Sequence, residues 1–457
     1  MSRAHLGRGR VRVLIVAYYY PPKGGAGTQR FAKFVKYLPR HGVEPVVLTT
    51  ETDTRSEHAP DDDASLDCGD VRVERVGPPA HPSLHRRWSR RLRLHIDEDE
   101  WADAAAARAL DLAREQPFDV VVTTLSPYAC YRVGEILKRR RRLPWVVDLR
   151  DPWALDAWRV YPSVVHAGVD LRNMRRAMRG ADFVIANVPE ARRAFVAEGV
   201  EAGRCVVIPN GFDEDDFAVG EDPRTSKLPF RLVHVGTFHP ATLAPGFTRN
   251  TLRRVRNRQI APLGRTGFYL LAALARYREH HGLVAGEQLQ VDLYGRVDDS
   301  HRRRIAELGL EHMVNVHGYV PHAHSVAALQ GADAVFVPLH DVPRGERALV
   351  VPGKLYEALA SERPVLAALP PGDGADLIRR LDAGIVVSPT DVDGLAAALT
   401  RLVARHMDGD PIAGCARARL VEFSRQHLTA RLHRVLEAAA SRAPAIELAS
   451  PWPQDCA

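Results

Sequence analysis

Short apolar runs rich in β-branched residues recur along the chain, each followed by a longer stretch with helical spacing. In the first half they occupy 11–16, 45–48, 71–76, 119–123, 145–148, 183–186 and 205–208. In the second half they occupy 231–235, 290–293, 314–316, 334–338, 364–367 and 384–387. A strand with one wet face alternates polar and apolar residues. Runs that are apolar throughout predict parallel sheets covered by helices on both faces. Two such series predict an α/β chain of two doubly wound domains.

The rhythm breaks at 217–229, where GEDPRTSKLP is polar and carries two prolines. The expected domains are therefore 1–222 and 223–414. Segment 240–264 has no periodic face and carries Arg249, Arg253, Arg254, Arg256 and Arg258, with Arg265 just beyond. It reads as an insertion or mobile loop, or as a plain solvated basic loop. A helical segment at 415–440 contains Leu420, Val421, Phe423, Leu428, Leu432 and Val435, and 441–457 reads as a tail.

Composition narrows the classes. The 457 residues allow two to four domains at roughly 100–200 residues each. With 46% hydrophobic and 26% charged residues, long disorder, collagen and coiled coil are excluded for most of the chain. Lys+Arg number 63 against 56 Asp+Glu, a formal net charge of +7. That balance favours anionic partners without separating nucleic acid, a phosphorylated small molecule and an anionic membrane. The five cysteines (Cys68, Cys130, Cys205, Cys415, Cys456) are scattered and odd in number, which predicts a reducing compartment and no disulfide framework. No apolar run approaches the roughly 18–20 residues needed to cross a bilayer. The start has a basic region and an apolar run, as a signal peptide would. It ends in Tyr18-Tyr19-Tyr20-Pro21-Pro22 without a small-residue cleavage site, so it reads as a buried first strand of a cytoplasmic protein.

Four motifs carry chemistry. The first run ends in Pro21-Pro22-Lys23-Gly24-Gly25-Ala26-Gly27-Thr28-Gln29-Arg30, leading into a helical pattern of Phe31, Phe34, Val35 and Leu38. Glycines at such a junction let backbone N–H groups approach an anion at the positive end of a helix. Gly25-x-Gly27 begins like a dinucleotide fingerprint, but Arg30 stands where the third glycine belongs and Thr49-Thr50 where an acidic residue would close the next strand. A phosphate turn and a tight structural turn both remain open. Second, Asp148-Leu149-Arg150-Asp151-Pro152-Trp153 lies at the carboxyl end of a predicted strand, where open parallel sheets place ligands. Two carboxylates, an arginine and a tryptophan there suit sugar binding or acid–base work; the plainer reading is an Asp–Arg ion pair and a helix cap.

Third, His234-Val235-Gly236-Thr237-Phe238-His239 closes the first run of the second half. Gly236 can offer an N–H and Thr237 a hydroxyl to phosphate oxygens, while His239 alone reads as a surface histidine. Fourth, Val351-Pro352-Gly353-Lys354-Leu355-Tyr356-Glu357 starts a predicted helix at Pro352. It is not a Walker loop, since no glycine lies five residues before Gly353 and Leu355 replaces Ser/Thr. Lys354 and Glu357 share one helical face. A lysine there can neutralise phosphate and a carboxylate one turn on can accept from two ribose hydroxyls. An ion pair on a solvated helix is the alternative.

GxSxG, HExxH and protein-kinase motifs are missing. The acidic triplets Asp97-Glu98-Asp99 and Asp391-Val392-Asp393 sit in acidic or helix-start contexts that do not argue for a metal-bound nucleotide sugar. Basic clusters at 86–93, 138–142 and 172–179 read as solvated helix faces or as a surface for anionic membrane or phosphorylated lipid.

In this order, from about Val11 to about Leu432, the segments YYYPPKGGAGTQR, VVDLRDPW, ADFVIANVPEARRAF followed by VVIPNGFD, HVGTF, VNVHGYVPHAHSVAALQGADAVFVPL, VPGKLYEALASERPVLA and DAGIVVSP resemble the family 4 glycosyltransferases of the GT-B fold. The resemblance implies two Rossmann-like domains facing a central cleft, the first for the acceptor and the second for the nucleotide-sugar donor. It implies a C-terminal helix crossing back to the first domain. It also implies sugar transfer with retention of configuration, with no metal and no cofactor beyond the donor.

Carried over by position, Gly24 and Gly25 match the glycine loop near the donor diphosphate, and Gly236 and Thr237 the phosphate loop of the donor domain. Gly318, Tyr319 and Val320 match the segment whose backbone recognises the base. Lys354 would contact phosphate and Glu357 would hold the ribose. Arg150 and Asp151 stand where many relatives have a His-Asp pair, so a catalytic histidine does not carry over, and the catalytic expectation falls on Arg150, Asp151 and Lys354. Leu349 stands where relatives often have a second glutamate, with Arg344, Glu346 and Arg347 nearby to substitute. Arg265 is the candidate for an arginine that relatives place soon after the phosphate loop.

The expected partners are a nucleotide-sugar donor and a glycan, lipid-linked or small-molecule acceptor. Peripheral contact with the inner face of an anionic plasma membrane is also expected, as in cell-envelope polysaccharide or glycolipid assembly. Tailoring of a soluble natural product is the alternative. A non-catalytic nucleotide-sugar or nucleic-acid binder is the alternative of another class. The arginine clusters lack interleaved aromatics apart from Trp88, which argues against nucleic acid.

Overall fold

The structure, a computed structural model, describes residues 10–24, 26–51, 69–77, 99–157, 159–161, 163–217, 229–239, 255–256, 262–282 and 285–452. Gly25, the basic cluster at 86–93, Cys68, Cys456 and most of 240–264 lie outside the described residues. The chain divides into two compact units, 1–210 with 424–451 and 211–423 with 452–457.

The first unit is built on seven parallel strands: β1 (Val11–Val16), β2 (Val43–Thr50), β3 (Arg72–Val76), β4 (Val120–Leu125), β5 (Trp145–Leu149), β6 (Phe183–Ala186) and β7 (Cys205–Val207). They lie in the order β3-β2-β1-β4-β5-β6-β7. The run that begins like a signal peptide is β1, an interior strand of this sheet. Its one charged residue, Arg12, sits near the strand's start and pairs with Glu44 of β2 at 3.0 Å. The crossovers carry α1 (Ala26–Tyr37), α2 (Asp99–Glu115), α3 (Tyr131–Arg141), α4 (Val164–Gly180) and α5 (Pro189–Ala197). Phe31, Phe34 and Val35 of α1 follow helical spacing and bury against Val13, Ile15, Val47 and Val122. Each fully buried side chain of this size contributes on the order of 2 kcal/mol.

The second unit has six parallel strands: β8 (Phe230–Val235), β9 (Leu289–Tyr294), β10 (Val314–Gly318), β11 (Ala334–Pro338), β12 (Val365–Ala368) and β13 (Gly384–Val387). Their order is β10-β9-β8-β11-β12-β13. Its helices are α6 (Phe268–His281), α7 (Asp299–Glu307), α8 (His322–Gln330), α9 (Gly353–Ala360), α10 (Asp373–Leu381) and α11 (Val392–Met407). Helix α11 begins at Asp391, whose carboxylate accepts from the Gly394 N–H at 2.8 Å. Asp391 is therefore a helix cap, and Asp393 faces Arg276 at 3.6 Å.

The chain returns to the first unit through α12 (Arg425–Ala440), capped by Ser424 accepting from the His427 N–H. Leu428, Leu432, Val435, Leu436 and Ala439 of α12 join the β1–β4 core. Residues beyond α12 stay on this unit: the Ile446 N–H donates to the Gly203 carbonyl at 2.9 Å, and Ile446 and Leu448 pack on the same core.

In both sheets the strand order reverses at the first strand. The chain runs β1, β2, β3 to one side and resumes at β4 on the other; it runs β8, β9, β10 to one side and resumes at β11. Such reversals leave a crevice beyond the carboxyl ends of the strands on either side of the switch, and that is where open α/β sheets bind ligands.

Candidate functional site

In the second unit three neighbouring strands end in glycine. Gly236 follows β8, Gly295 follows β9, and Gly318 closes β10, with φ of 145°, 125° and 76°. The Gly236 N–H donates to the Tyr294 carbonyl and the Gly295 N–H to the Gly318 carbonyl, both at 2.7 Å. A Cβ at Gly295 would lie 2.1 Å from the Gly236 carbonyl oxygen. Only glycine permits both the positive φ and this approach. The result is a row of three strand ends, a floor whose own backbone carries no side chain. Gly236 and Gly318 are expected from the sequence and Gly295 is not. The signal for it was the same aliphatic strand closing in glycine, here Leu293-Tyr294-Gly295.

Helix α9 starts at this floor, with Pro352 in the N-cap position. Its Lys354 lays its stem on Gly236: a Cβ built there would be 3.6 Å from Lys354 Cε. Lys354 Nζ stands 3.8 Å from Glu357 Oε2, one helical turn on, so the two expected residues do share a face. A third side chain joins them. His322, the first residue of α8, is within hydrogen-bond reach of Asp216 Oδ2 at 3.0 Å. Burial alone would lower its pKa, but the Asp216 hydrogen bond and the nearby charges of Glu357 and Asp216 raise it above the ordinary value. His322 lies in a segment that carries the family resemblance, which gives it no role, and only the fold sets it beside Glu357. Tyr319 is 61% exposed at the end of β10, next to the floor.

At the switch between β8 and β11 the side chains are cationic or histidine. His234 is buried at the end of β8, its Nδ1 3.0 Å from the Phe336 carbonyl of β11. Burial, and then the charge of Lys354, push its pKa down to about 4. Its ring stacks on Phe238 at 4.1 Å, and Phe238 stacks in turn on His301 of α7. His301 is clamped by the Asp298 carboxylate and the Thr266 carbonyl. His340, just past β11, is buried against Gly264, and burial followed by the charges of Arg265 and His239 pushes its pKa down to about 2. The carbonyl of Arg265 accepts from the His239 N–H at 3.0 Å. Arg265 is thereby placed at the switch, although the intervening residues separate it widely from β8 in sequence.

In the first unit the glycine turn and the second motif meet. Arg150, just after β5, lies over the start of α1: a Cβ at Gly27 would be 2.3 Å from its Nη1. The guanidinium sits 5.5 Å above the Tyr19 ring and its Nε is 3.6 Å from Asp151 Oδ2. A helix start and a guanidinium side by side favour an anion. Gly24 lies in the same turn.

One expectation needs correction. Asp148 is not part of this open cluster. It is fully buried and takes Arg30 of α1 in an ion pair, with Nη2 to Oδ1 at 2.6 Å and Nε to both oxygens. The Thr124 hydroxyl donates to it at 3.1 Å. Arg30 also donates to the Ile208 and Pro209 carbonyls. The residue that spoils the dinucleotide fingerprint is therefore a structural cation joining β5, α1 and the end of β7. Trp153 is likewise buried, its indole N–H donating to Asp170 at 2.8 Å and its ring stacked on Tyr128 at 4.9 Å. In the second unit Arg347 is held by Asp376 and Arg344 is exposed near the half-buried Leu349.

Two family models match the chain. Residues 24–211 match the glycosyl transferase 4-like domain and residues 266–405 match glycosyl transferases group 1. The chain belongs to the family 4 glycosyltransferases of the GT-B fold, each unit supplying one of the two matched domains. Among solved structures it is similar to HepE of Anabaena, crystallised with UDP and glucose, at 18% identity and a TM-score of 0.62 over 94% of this chain and 100% of that one. It is similar to a sucrose-phosphate synthase of Thermosynechococcus elongatus at 18% identity and a TM-score of 0.62, over 95% and 97% of the two chains. The lipopolysaccharide outer core galactosyltransferase WaaB aligns at 13% identity and a TM-score of 0.56, over 94% and 99%. At these identities the likeness shows the fold. No curated protein matches the sequence.

Proposed function

We propose that this chain transfers a sugar from a nucleoside diphosphate sugar, most simply a UDP-sugar, to a hydroxyl acceptor with retention of configuration and without a metal ion. The observation that carries the reading is the set at the carboxyl edge of the second sheet: a three-glycine backbone floor, with Lys354 laid on Gly236 and Glu357 one turn along the same helix face. A diphosphate needs backbone it can approach closely and a cation, and a ribose diol needs a carboxylate. The UDP and glucose held by HepE, an enzyme of like fold, support the choice of donor. In the proposed step the acceptor oxygen bonds to the anomeric carbon on the face from which the diphosphate leaves. The carbon–oxygen bond to phosphate breaks, and the hydroxyl proton passes to the departing phosphate oxygen. Lys354 and Arg265 are proposed to balance the charge that develops there. Arg150 and Asp151 are proposed as the reactive pair of the first unit.

We place the acceptor at a membrane, in envelope glycan or glycolipid assembly. Support comes from α4, where Val164 is 68% and Val165 62% exposed, with Val169 and Arg172 on the next turns. An exposed apolar helix start on a helix that carries arginines further along suits an anionic lipid surface better than bulk water.

The donor is tested by thermal shift against a panel of nucleotide sugars, since a ligand that binds only the folded state raises its melting point. A UDP-sugar is expected to stabilise the chain. Lys354→Ala and Glu357→Ala are each expected to remove that shift and to cut turnover on the order of a hundredfold with the fold intact. Near-wild-type rates in both variants would overturn the donor site.

A further inference from the structure

His234 is the buried polar side chain at the donor floor that the proposed chemistry leaves unused. It is 6% exposed, and its ring is fixed on one side by the stack with Phe238. Its Nδ1 lies 3.0 Å from the Phe336 carbonyl. A carbonyl can only accept, so the ring proton sits at Nδ1 and a lone pair is left at Nε2. Nε2 is buried and has no hydrogen-bond partner. It is also the atom nearest the open side of Gly236, 3.5 Å from where a Cβ would stand, with Lys354 Cε at 3.6 Å from the same point. A buried acceptor without a donor is destabilising, and a ligand on the floor can supply the missing donor. A phosphate oxygen cannot, because it too presents lone pairs. A hydroxyl can.

We propose that His234 Nε2 accepts a hydrogen bond from a hydroxyl of the bound donor and so helps to select it. The inference rests on the donor-site reading above. His234 is a specificity-determining contact in this account, and the phosphate charge remains with Lys354. The hydroxyl belongs either to the transferred sugar or to the ribose, and the two are separable by binding.

The test compares wild type, His234→Asn and His234→Gln by calorimetry with UDP, UDP-glucose, GDP and GDP-mannose. Asparagine keeps a donor near the Nδ1 position for the Phe336 carbonyl and deletes the acceptor at Nε2. Glutamine returns an acceptor close to the Nε2 position. His234→Asn is expected to weaken the cognate nucleotide sugar about tenfold, one hydrogen bond's worth, with His234→Gln within about threefold of wild type. Loss confined to the sugar nucleotide assigns a sugar hydroxyl; equal loss for the free diphosphate assigns the ribose. If wild type binds and His234→Asn binds as tightly, the inference is overturned while the donor site stands. Nucleotide binding that tightens as pH falls in wild type but not in His234→Asn would mean an imidazolium on phosphate, and also overturns it. If wild type binds none of the four, the donor-site reading fails as well. Melting temperatures of both variants check the fold.

Discussion

At the residue scale, burial and neighbouring charges move two histidines of the second unit in opposite directions. His340 is held far below the ordinary histidine value of 6.5 by burial and by the charges of Arg265 and His239. An unfolded chain takes a proton on this residue as pH falls through that value, and the folded chain does not. The unfolded state then binds more protons, so His340 makes stability fall as pH drops from about 6.5 toward the folded value. His322 works with the opposite sign: its folded pKa is raised, so its contribution is complete at low pH and is lost as pH rises through the folded value. Urea unfolding of wild type and His340→Asn at pH 6.5, 5.5 and 4.5 separates these terms. The variant is expected to lose stability less steeply, by up to about 1.4 kcal/mol per pH unit. An unchanged slope would mean that folded His340 takes up the proton.

At the element scale, α1, β5 and the end of β7 are joined through a single buried ion pair. Arg30 and Asp148 stand 118 residues apart in sequence. Arg30→Met leaves a buried carboxylate and the Ile208 and Pro209 carbonyls without their cation, and is expected to cost about 3–5 kcal/mol. The double variant Arg30→Met, Asp148→Leu removes both charges and is expected to be more stable than Arg30→Met alone. Denaturant midpoints decide this; a double variant weaker than both singles would mean that the pair is more than a neutralised charge. The elements themselves were readable because each strand is a continuous apolar run between turns, and all thirteen runs form strands of the two sheets. The pairing was not readable, because Arg30 resembles a flaw in a fingerprint and Asp148 a member of an open cluster until β5 and α1 are set side by side.

At the scale of the whole molecule, the first unit carries both exposed basic residues and exposed apolar residues. Arg139, Arg140 and Arg141 are exposed at the end of α3, and Arg176 of α4 is tied back to Glu135 of α3 at 2.6 Å. Among the described residues no helix is long and apolar enough to cross a membrane, so any lipid contact of these helices would be superficial. The chain is expected to co-sediment with phosphatidylglycerol vesicles at low salt and to be released at high salt, since each surface arginine contributes about 1 kcal/mol that screening removes. Val164→Asp with Val165→Asp is expected to abolish sedimentation and leave UDP-sugar binding unchanged. Equal partition onto neutral vesicles, or none at all, would sink the membrane assignment.

The alternation of apolar runs and helical stretches was enough to set two parallel α/β units, because strands buried on both faces are apolar throughout and are joined by crossover helices. It also placed Lys354 and Glu357 on one face of α9, since three residues make nearly one turn of helix. Contacts between distant segments had to wait for the tertiary structure. Burial turned Asp148 into a structural anion, laid Arg150 over Gly27, brought His322 to Glu357 and left His234 with an acceptor facing Gly236. Each of these depends on which strand ends lie side by side, and strand order in a parallel sheet is set by crossovers that leave no local mark on the residues they bring together.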